Sequence, residues 1–351
     1  MVRSACVFFL TFFFLFAHAQ EKIIVEPDAG RAPLLNAIAN AKNSVDMVIY
    51  GFTDTEFANA LISAQDQHKH VRVLIQHHPY KYEDENQPII DLLQSHNIVM
   101  VFPDQNFKLT HQKTLITDEH GALVMTFNLT HSTFKNERNF ALQIDDPAEI
   151  KEIEAVYNAD WQHKYIQVSQ PDLVWSPDNS REKILALIHS AKQNIDVYAE
   201  GLTDYSVVGA LASAARNGVN VRVLTTLDAG KKPGKQFEYM QRAGVQIRLS
   251  KNLVIHAKVI MVDNQKALLG SINLTKPSIN DNRELAVITH SPESFAILQK
   301  TFSSDWDNAN SSSSRSLSSA HPYNFNKSLK QLLKLAHLQH SHPRHHHKNY
   351  Y

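Results

Sequence analysis

His256-Ala257-Lys258-Val259-Ile260-Met261-Val262-Asp263, followed by Gly270-Ser271-Ile272-Asn273, has an earlier counterpart in the same chain. That counterpart is His111-Gln112-Lys113-Thr114-Leu115-Ile116-Thr117-Asp118, followed by Thr126-Phe127-Asn128. In each copy His and Lys stand two apart at the head of an apolar, β-branched run. The run reads as a buried strand, and a period of two places His and Lys side by side on one face. The Asp closes the strand at a hairpin turn (Asp118-Glu-His-Gly121; Asp263-Asn-Gln-Lys266), and a second strand returns to the Asn. A histidine, a lysine and an asparagine thus converge twice. They offer a nucleophile or acid, a fixed cation and an amide donor, a set suited to reaction at a phosphate ester.

Outward from these motifs the chain is a repeat. Pro27-Asp28 matches Pro177-Asp178, Ser44-Val-Asp46 matches Asn194-Ile-Asp196, Gly51-Phe-Thr-Asp54 matches Gly201-Leu-Thr-Asp204, and Val71-Arg-Val-Leu74 matches Val221-Arg-Val-Leu224. The offset is 150 residues there and 145 at the motifs, so the intervening loops differ by five. This period is too long for a solenoid unit and fits a duplicated half-domain. Each half predicts the same succession. A helix (32–42; 182–192) precedes a strand (44–50; 194–199), then a helix (55–67; 206–216) and a strand (71–76; 219–225). A third helix (87–96; 234–243) and a short strand (98–102; 246–249) lead to the motif hairpin. A further strand (139–144; 284–289) and a closing helix (147–163; 291–307) complete the half. Alternating helices and apolar strands ending in hairpins predict an α/β sandwich with mixed sheets. The expected organisation is one lobe over 20–164, a connection over 165–178, and a second lobe over 179–308. The halves are expected to face each other across a pseudo-twofold axis that brings the motifs together at one interfacial site.

Both ends differ from this body. Residues 1–19 read as an export signal, with Arg3, an apolar stretch from Val7 to Phe16, and Ala17-His-Ala19 as cleavage site. The apolar stretch is short for a bilayer span. A secreted or periplasmic location is the corresponding expectation. The only cysteine, Cys6, falls in this segment, so the rest of the chain holds no disulfide and no Cys-ligated metal. Residues 309–351 read as a Ser-rich linker and a basic, His-rich tail. Lys327, Lys330 and Lys334 on one side of a short amphipathic helix make the tail a candidate contact for an anionic membrane surface. Its loose histidine tract specifies no metal site.

Composition narrows the class of substrate. At 351 residues with 43% apolar and 20% charged residues, the chain is globular. Of its 35 Lys and Arg, six lie within 315–351 and one is Arg3, leaving 28 against 35 Asp and Glu in the body. A mildly acidic body disfavours, without excluding, nucleic acid as the substrate, because phosphate neutralisation dominates such binding.

The two His-x-Lys-x-x-x-x-Asp stretches, each with a following Ser/Thr-x-Asn, resemble the phospholipase D superfamily, and the resemblance runs from Ile24 to Asn308. It implies a duplicated phospholipase D-like α/β sandwich of two lobes with one active site between them. It further implies phosphodiester cleavage through a covalent phosphohistidine with no cofactor. One His attacks; the other protonates the leaving alcohol and then activates water or an acceptor alcohol. A phospholipid is the expected substrate, with hydrolysis to phosphatidic acid as the leading reaction; nuclease, phosphatidyltransferase and noncatalytic lipid-binding readings are the alternatives. Both motifs in one chain predict a monomer. The expected catalytic residues are His111, Lys113, His256 and Lys258, with Asn128, Asn273, Thr126 and Ser271 on the phosphate. Asn128-Leu-Thr130 and Asn273-Leu-Thr275 also fit a glycosylation pattern, but their position marks them as site asparagines. Asp118 and Asp263 are expected to be structural, each bonding the backbone of its own turn. Asn282-Arg-Glu284 matches the superfamily's Asn-x-Glu, whose carboxylate orients a motif His; the first copy has Glu137-Arg-Asn139 instead. The expectation is that Glu284 orients His256 and favours its protonated form, while Asn139 sits beside His111. That would make His111 the nucleophile and His256 the acid and base. The reverse stays open, since a carboxylate also activates a nucleophilic His. His77-His78, at a strand end, are candidates for substrate contact.

Overall fold

A computed structural model describes residues 21–79, 84–103, 106–119, 121–226 and 234–311. The predicted export signal and almost all of the predicted tail lie outside these residues. The first lobe runs β1 (Lys22–Glu26), α1 (Ala32–Asn40), β2 (Ser44–Ile49), α2 (Thr55–Asp66), β3 (His70–Ile75), α3 (Gln87–Ser95), β4 (Val99–Val101), β5 (Thr114–Thr117), β6 (Gly121–Met125), β7 (Glu137–Ile144) and α4 (Pro147–Trp161). The second runs β8 (Leu173–Ser176), α5 (Ser180–Ser190), β9 (Asn194–Ala199), α6 (Tyr205–Arg216), β10 (Asn220–Thr225), α7 (Lys235–Arg242) and β11 (Gln246–Leu249). It continues with β12 (Val254–Ile255), β13 (Lys258–Val262), β14 (Lys266–Gly270), α8 (Lys276–Asn280), β15 (Glu284–Thr289), α9 (Pro292–Asp307) and β16 (Asn310–Ser311).

The two sheets repeat one topology. The first is ordered β1-β7-β6-β5-β2-β3-β4 and the second β8-β15-β14-β13-β9-β10-β11, with β16 added at its edge. In both, the strands joined through helices pair in parallel (β2 with β3, β9 with β10) and the hairpin strands pair antiparallel (β5 with β6, β13 with β14). This is the pairing that crossover connections and tight turns respectively permit. The sheets are therefore mixed, as expected.

The strands β1, β8, β12 and β16 and the short helix α8 were not anticipated, and β1 and β8 complete the two sheets. Residues 173–176 lie within the stretch read as a connection, yet Leu173, Val174 and Trp175 are fully buried and β8 pairs antiparallel with β15. Both strands are short apolar runs without alternation, so periodicity could not separate them from linker. The repeat does contain them, since each leads into a matched Pro-Asp.

The starts of α2, α4 and α6 are set by aspartate side-chain caps. Asp54 accepts from the Glu56 N–H, its counterpart Asp204 from those of Ser206 and Val207, and Asp146 from those of Ala148 and Glu149. Arg31 and Arg181 hold the first two caps in place through ion pairs with Asp54 and Asp204. Helices α1, α2 and α3 bury Leu34, Ile38, Phe57, Leu61, Ile89 and Leu93 against the outer face of the first sheet, and α5–α7 cover the second alike. The inner faces share one core. Val48, Leu74, Phe140 and Leu142 of the first sheet join Trp175, Tyr198, Leu224 and Leu285 of the second, with Tyr157 of α4 and Phe302 and Trp306 of α9 between them. The lobes thus meet through apolar burial, the dominant favourable term in association.

Candidate active site

The motif histidines stand just ahead of their strands rather than within them. β5 begins at Thr114 and β13 at Lys258. Upstream of those points the backbone leaves its own sheet for the opposite lobe. The N–H groups of His111 and Gln112 both donate to the Arg283 carbonyl at 2.9 and 3.1 Å. Those of His256 and Ala257 both donate to the Arg138 carbonyl at 3.2 and 3.0 Å. β12 continues this crossing by pairing Val254 and Ile255 with Glu137 and Arg138 of β7.

The two arginines bolt this arrangement in place. Arg138, 6% exposed, pairs with Asp28 of its own lobe and Asp305 of the other; Arg283, 1% exposed, pairs with Asp178 of its own lobe and Asp160 of the other. The pattern is twofold-symmetric residue for residue. Each bridge sets a buried arginine against two carboxylates, the condition under which a guanidinium is tolerated in a core.

Crossing the backbones exchanges the expected partners. His111 Nδ1 lies 2.9 Å from Glu284 Oε2, and His256 Nδ1 lies 3.0 Å from Asn139 Oδ1. The expectation that Glu284 orients His256 is therefore corrected: each imidazole is oriented from the opposite lobe. Glu284 is fully buried and also accepts from the Ser278 hydroxyl and from Asn282 Nδ2 at 3.0 Å. Asn139 donates through Nδ2 to Glu137 at 3.1 Å, which turns its oxygen, also bonded by the Thr126 hydroxyl, toward His256. A carboxylate at His111 Nδ1 and an amide oxygen at His256 Nδ1 call for hydrogen on those nitrogens, with Lys258 Nζ also 3.1 Å from His256 Nδ1.

The lysines are sequestered. Lys113 is fully buried and donates to the His111 carbonyl at 2.6 Å, with Nζ 5.0 Å from the centre of the Tyr50 ring. Tyr50 also packs edge-on against His111, centroids 4.6 Å apart. Lys258, 2% exposed, donates to the Thr126 carbonyl across the lobe boundary at 3.0 Å and to the His256 carbonyl. Its strongest partner is Glu200, at 2.5 Å, and the same Glu200 oxygen lies 3.6 Å from His256 Nε2. Tyr50 and Glu200 follow β2 and β9 at equivalent points, each just before the glycine of a matched Gly-x-Thr-Asp. Neither was singled out in the sequence, nor were Arg138 and Arg283. The repeat alignment could have exposed them as one position that differs and one that does not.

The remaining expected residues divide. The Asn128 amide oxygen accepts from the Gly51 N–H at 3.2 Å, and a Cβ on Gly51 would lie 3.0 Å from Asn128 Cγ, so glycine lets the amide close in beside Tyr50. Asn273 sits similarly against Gly201, and its oxygen is buried without a hydrogen-bond partner. Each asparagine thus sits against the glycine that follows Tyr50 or Glu200. The hydroxyls do not serve phosphate: Thr126 is fully buried between Asn139 and the Phe140 N–H, and Ser271 is fully buried against the Leu285 backbone. Both follow directly on the ends of β6 and β14, where the flanking residues are buried as well, so their hydroxyls meet backbone and side chains of the core. Asp118 and Asp263 are structural, but their partners are distant. Asp118 accepts from the N–H groups of Lys42, Asn43 and Ser44, and Asp263 from those of Lys192, Gln193 and Asn194. Each pins its motif hairpin to the loop entering β2 or β9. His77 stacks on Phe102 at 4.4 Å and on His78 at 4.0 Å, while the preceding Gln76 accepts from the Thr110 N–H beside His111.

Burial and charge set the protonation states. Burial holds both imidazoles below the usual histidine range. For His111, Lys113 lowers it further and Glu284 opposes. His256 is pushed down to about 3 by burial, with Glu200 opposing and Lys258, Lys113 and His111 adding to the depression. Lys113 is held well below the ordinary lysine range by burial and by Lys258. Burial would raise the Glu284 carboxyl, yet His111 and Lys113 hold it below the ordinary range; Glu200, whose side chain is 36% exposed, is likewise held below it by His256 and Lys258. The free site thus sets two imidazoles that burial keeps neutral among two lysines and two carboxylates. Among the described residues no group of three His, Cys, Asp or Glu side chains could hold a metal ion.

The family described as cardiolipin synthase, PLD-like domain, matches residues 34–161 and again 184–306. The chain belongs to the phospholipase D superfamily, whose members act on phosphodiester bonds. It is similar to cardiolipin synthase A of Pectobacterium atrosepticum, 24% identical over 304 residues that cover 73% of this chain and 62% of the relative. One half is similar to the mitochondrial cardiolipin hydrolase of Danio rerio, 28% identical over 36% of this chain and 57% of the relative. Another match, to a phospholipase D of Rickettsia bellii, is 28% identical over 36% of this chain and 63% of the relative. The chain thus spans about three-fifths of the length of these relatives. In fold it is similar to the phosphatidylserine synthase of Haemophilus influenzae, with a TM-score of 0.68 at 12% identity, covering 91% of this chain and 94% of that one.

Proposed function

We propose that this chain is a phospholipase D-type phosphodiesterase that hydrolyses phospholipids to phosphatidic acid and a head-group alcohol through a phosphohistidine on His111. The observation that carries the reading is the pair of imidazoles held at Nδ1 by unlike partners from opposite lobes, a carboxylate on His111 and an amide on His256. A carboxylate behind an attacking imidazole stabilises the positive charge that forms when Nε2 bonds to phosphorus. An amide leaves His256 free to give and retake a proton at Nε2. His111 thus keeps the role expected of it, on a different ground from the exchanged pairing. Lys113 and Lys258, with the Asn128 and Asn273 amides, are the donors for the nonbridging oxygens. The acidic body supports lipid over nucleic acid. The segment read as an export signal supports a secreted or periplasmic enzyme, and the presence of both motifs in one chain supports a monomer. Among the described residues no helix is long and apolar enough to cross a membrane.

A second reading, transfer of the phosphatidyl group to an alcohol, is favoured by one observation: the match to cardiolipin synthase A covers 73% of this chain, whereas the hydrolase match covers 36%. The chemistry differs only in whether water or an alcohol meets the phosphoenzyme. Incubating the protein in EDTA with phosphatidylglycerol and phosphatidylethanolamine vesicles, with and without added glycerol, and with single-stranded DNA tests both. Phosphatidic acid as the main product supports hydrolysis; cardiolipin or an exchanged head group supports transfer. Cleaved DNA with intact lipid would overturn the lipid reading, and activity lost to EDTA and restored by a divalent ion would overturn the proposed mechanism.

A further inference from the structure

We infer that Glu200 is the group that charges His256, keeping its Nε2 protonated when a phosphodiester occupies the site so that it can serve as the acid for the leaving alcohol. The inference rests on the proposed roles of His111 and His256 and adds a residue that the paired motifs do not contain.

Geometry places Glu200 for this task. His256 is faced by Asn139 at Nδ1, by Lys258 with Nζ 3.1 Å from Nδ1 and 3.4 Å from Nε2, and by Glu200 3.6 Å from Nε2; Lys113 and His111 also act on it, and Glu137 accepts from Asn139 behind it. Glu200 is the one anion of this set on the reacting nitrogen. At 3.6 Å it attracts a proton there without taking it in a hydrogen bond, so an Nε2–H remains free to point at a leaving oxygen. With both lysines charged, Glu284 and Glu200 balance them and the site is neutral with both imidazoles neutral. A phosphodiester brings one more negative charge, and a proton on His256 restores the balance. Without Glu200 the lysines, Glu284 and the phosphodiester would already balance, and nothing would favour the acid form. A phosphate seated on Lys258 also takes the place the carboxylate holds in the free site, leaving His256 as the cation for Glu200.

The equivalent point in the first lobe carries Tyr50, which packs on His111 and Lys113 without charge. An anion there would hold a proton on His111 Nε2 and block attack. The difference matches the roles. The His111 Nε2 lone pair attacks phosphorus, and the bond to the alcohol breaks with its electron pair going to the alcohol oxygen. That oxygen takes the proton from His256 Nε2, leaving His256 neutral. In the second half a water gives a proton to His256 as its oxygen attacks phosphorus, and the P–N electron pair returns to His111.

The test uses two substrates with the same short-chain phosphatidyl group, one releasing glycerol and one releasing p-nitrophenol, with first-turnover release measured by rapid quench. Glu200→Gln should slow glycerol release by about 100-fold or more, the scale of general acid catalysis, and nitrophenol release far less. The alkaline limb of the glycerol rate should move to lower pH, since removing the anion lowers the His256 pKa, by about one unit or more. Glu200→Asp, which keeps the charge, should recover most of the glycerol rate and the limb. Equal losses on both substrates, no loss, or an unmoved limb would overturn the inference while leaving the proposed function standing. A wild-type protein that releases neither alcohol would instead remove the functional reading itself, and the inference with it.

Discussion

The two lobes share a backbone plan and differ where it counts for proton traffic. The first lobe carries Glu137-Arg138-Asn139 and the second Asn282-Arg283-Glu284: the same carboxylate and amide in opposite order around an identical arginine. Because each trio serves the other lobe's histidine, the reversal puts the carboxylate on His111 and the amide on His256. Tyr50 and Glu200 add a second reversal of charge at matched positions. A twofold frame thus supplies two identical histidines, and two inexact repeats give them unlike partners, the asymmetry on which the proposed roles rest.

The sharpest way to break the comparison is to remove each histidine. His111→Ala should abolish turnover of every phosphodiester and form no phosphoenzyme. His256→Ala should lose about 10²–10⁴-fold with a glycerol leaving group yet accumulate a phosphoenzyme from a nitrophenyl diester, trapped under alkaline conditions. A phosphoenzyme in the first variant and not the second would reverse the assignment. Next, Glu284→Gln removes the charge behind His111 and should cost up to about 10⁴-fold, the scale seen when a triad carboxylate becomes an amide. Asn139→Ala should cost less, since His256 keeps Glu200; the reverse ranking in kcat would contradict the unequal roles.

A smaller effect concerns pH. In the free protein His256 should stay neutral until the pH falls to about 3, which its ring proton shift in an NMR titration would show. The unfolded chain binds that proton near pH 6.5, so between those values the unfolded state holds more protons. Stability should therefore fall as the pH drops through this window, by at most about 1.4 kcal/mol per pH unit from this group. His256→Asn should flatten that slope; an unchanged slope would place the acid sensitivity elsewhere. The smallest expected difference is between Asp118→Ala and Asp263→Ala. Each removes one carboxylate from three backbone N–H groups, and each should lower unfolding free energy by about 1.5–3 kcal/mol in denaturant titrations. Unequal losses would show that the lobes do not share this brace equally.

The repeat, the alternation of helix and strand and both His-Lys pairs were legible because they are written locally. Asn194–Ala199 and Gln246–Leu249 fall where the pattern predicts them. What escaped was contact between lobes. Glu284 lies 28 residues from His256 and 173 from His111, and only the crossing of the His111 and His256 backbones makes the distant pairing the real one. Thr126 and Ser271 were misread because the sequence does not show that the chain on both sides of them is buried and that their hydroxyls bond within the core. Glu200 was passed over because a lone carboxylate at a strand end gives no sign of the lysine it meets.

Arg138 and Arg283 give the molecule a built-in interlock. Each joins both lobes through its side chain and holds the other lobe's histidine through its carbonyl. Docking and active-site assembly are one event, so a separated half would present a histidine without its orienting partner. The activity then behaves as a logical AND between the halves. On warming it should disappear when the lobes part, before either sheet melts, which makes turnover a more sensitive gauge of their association than circular dichroism.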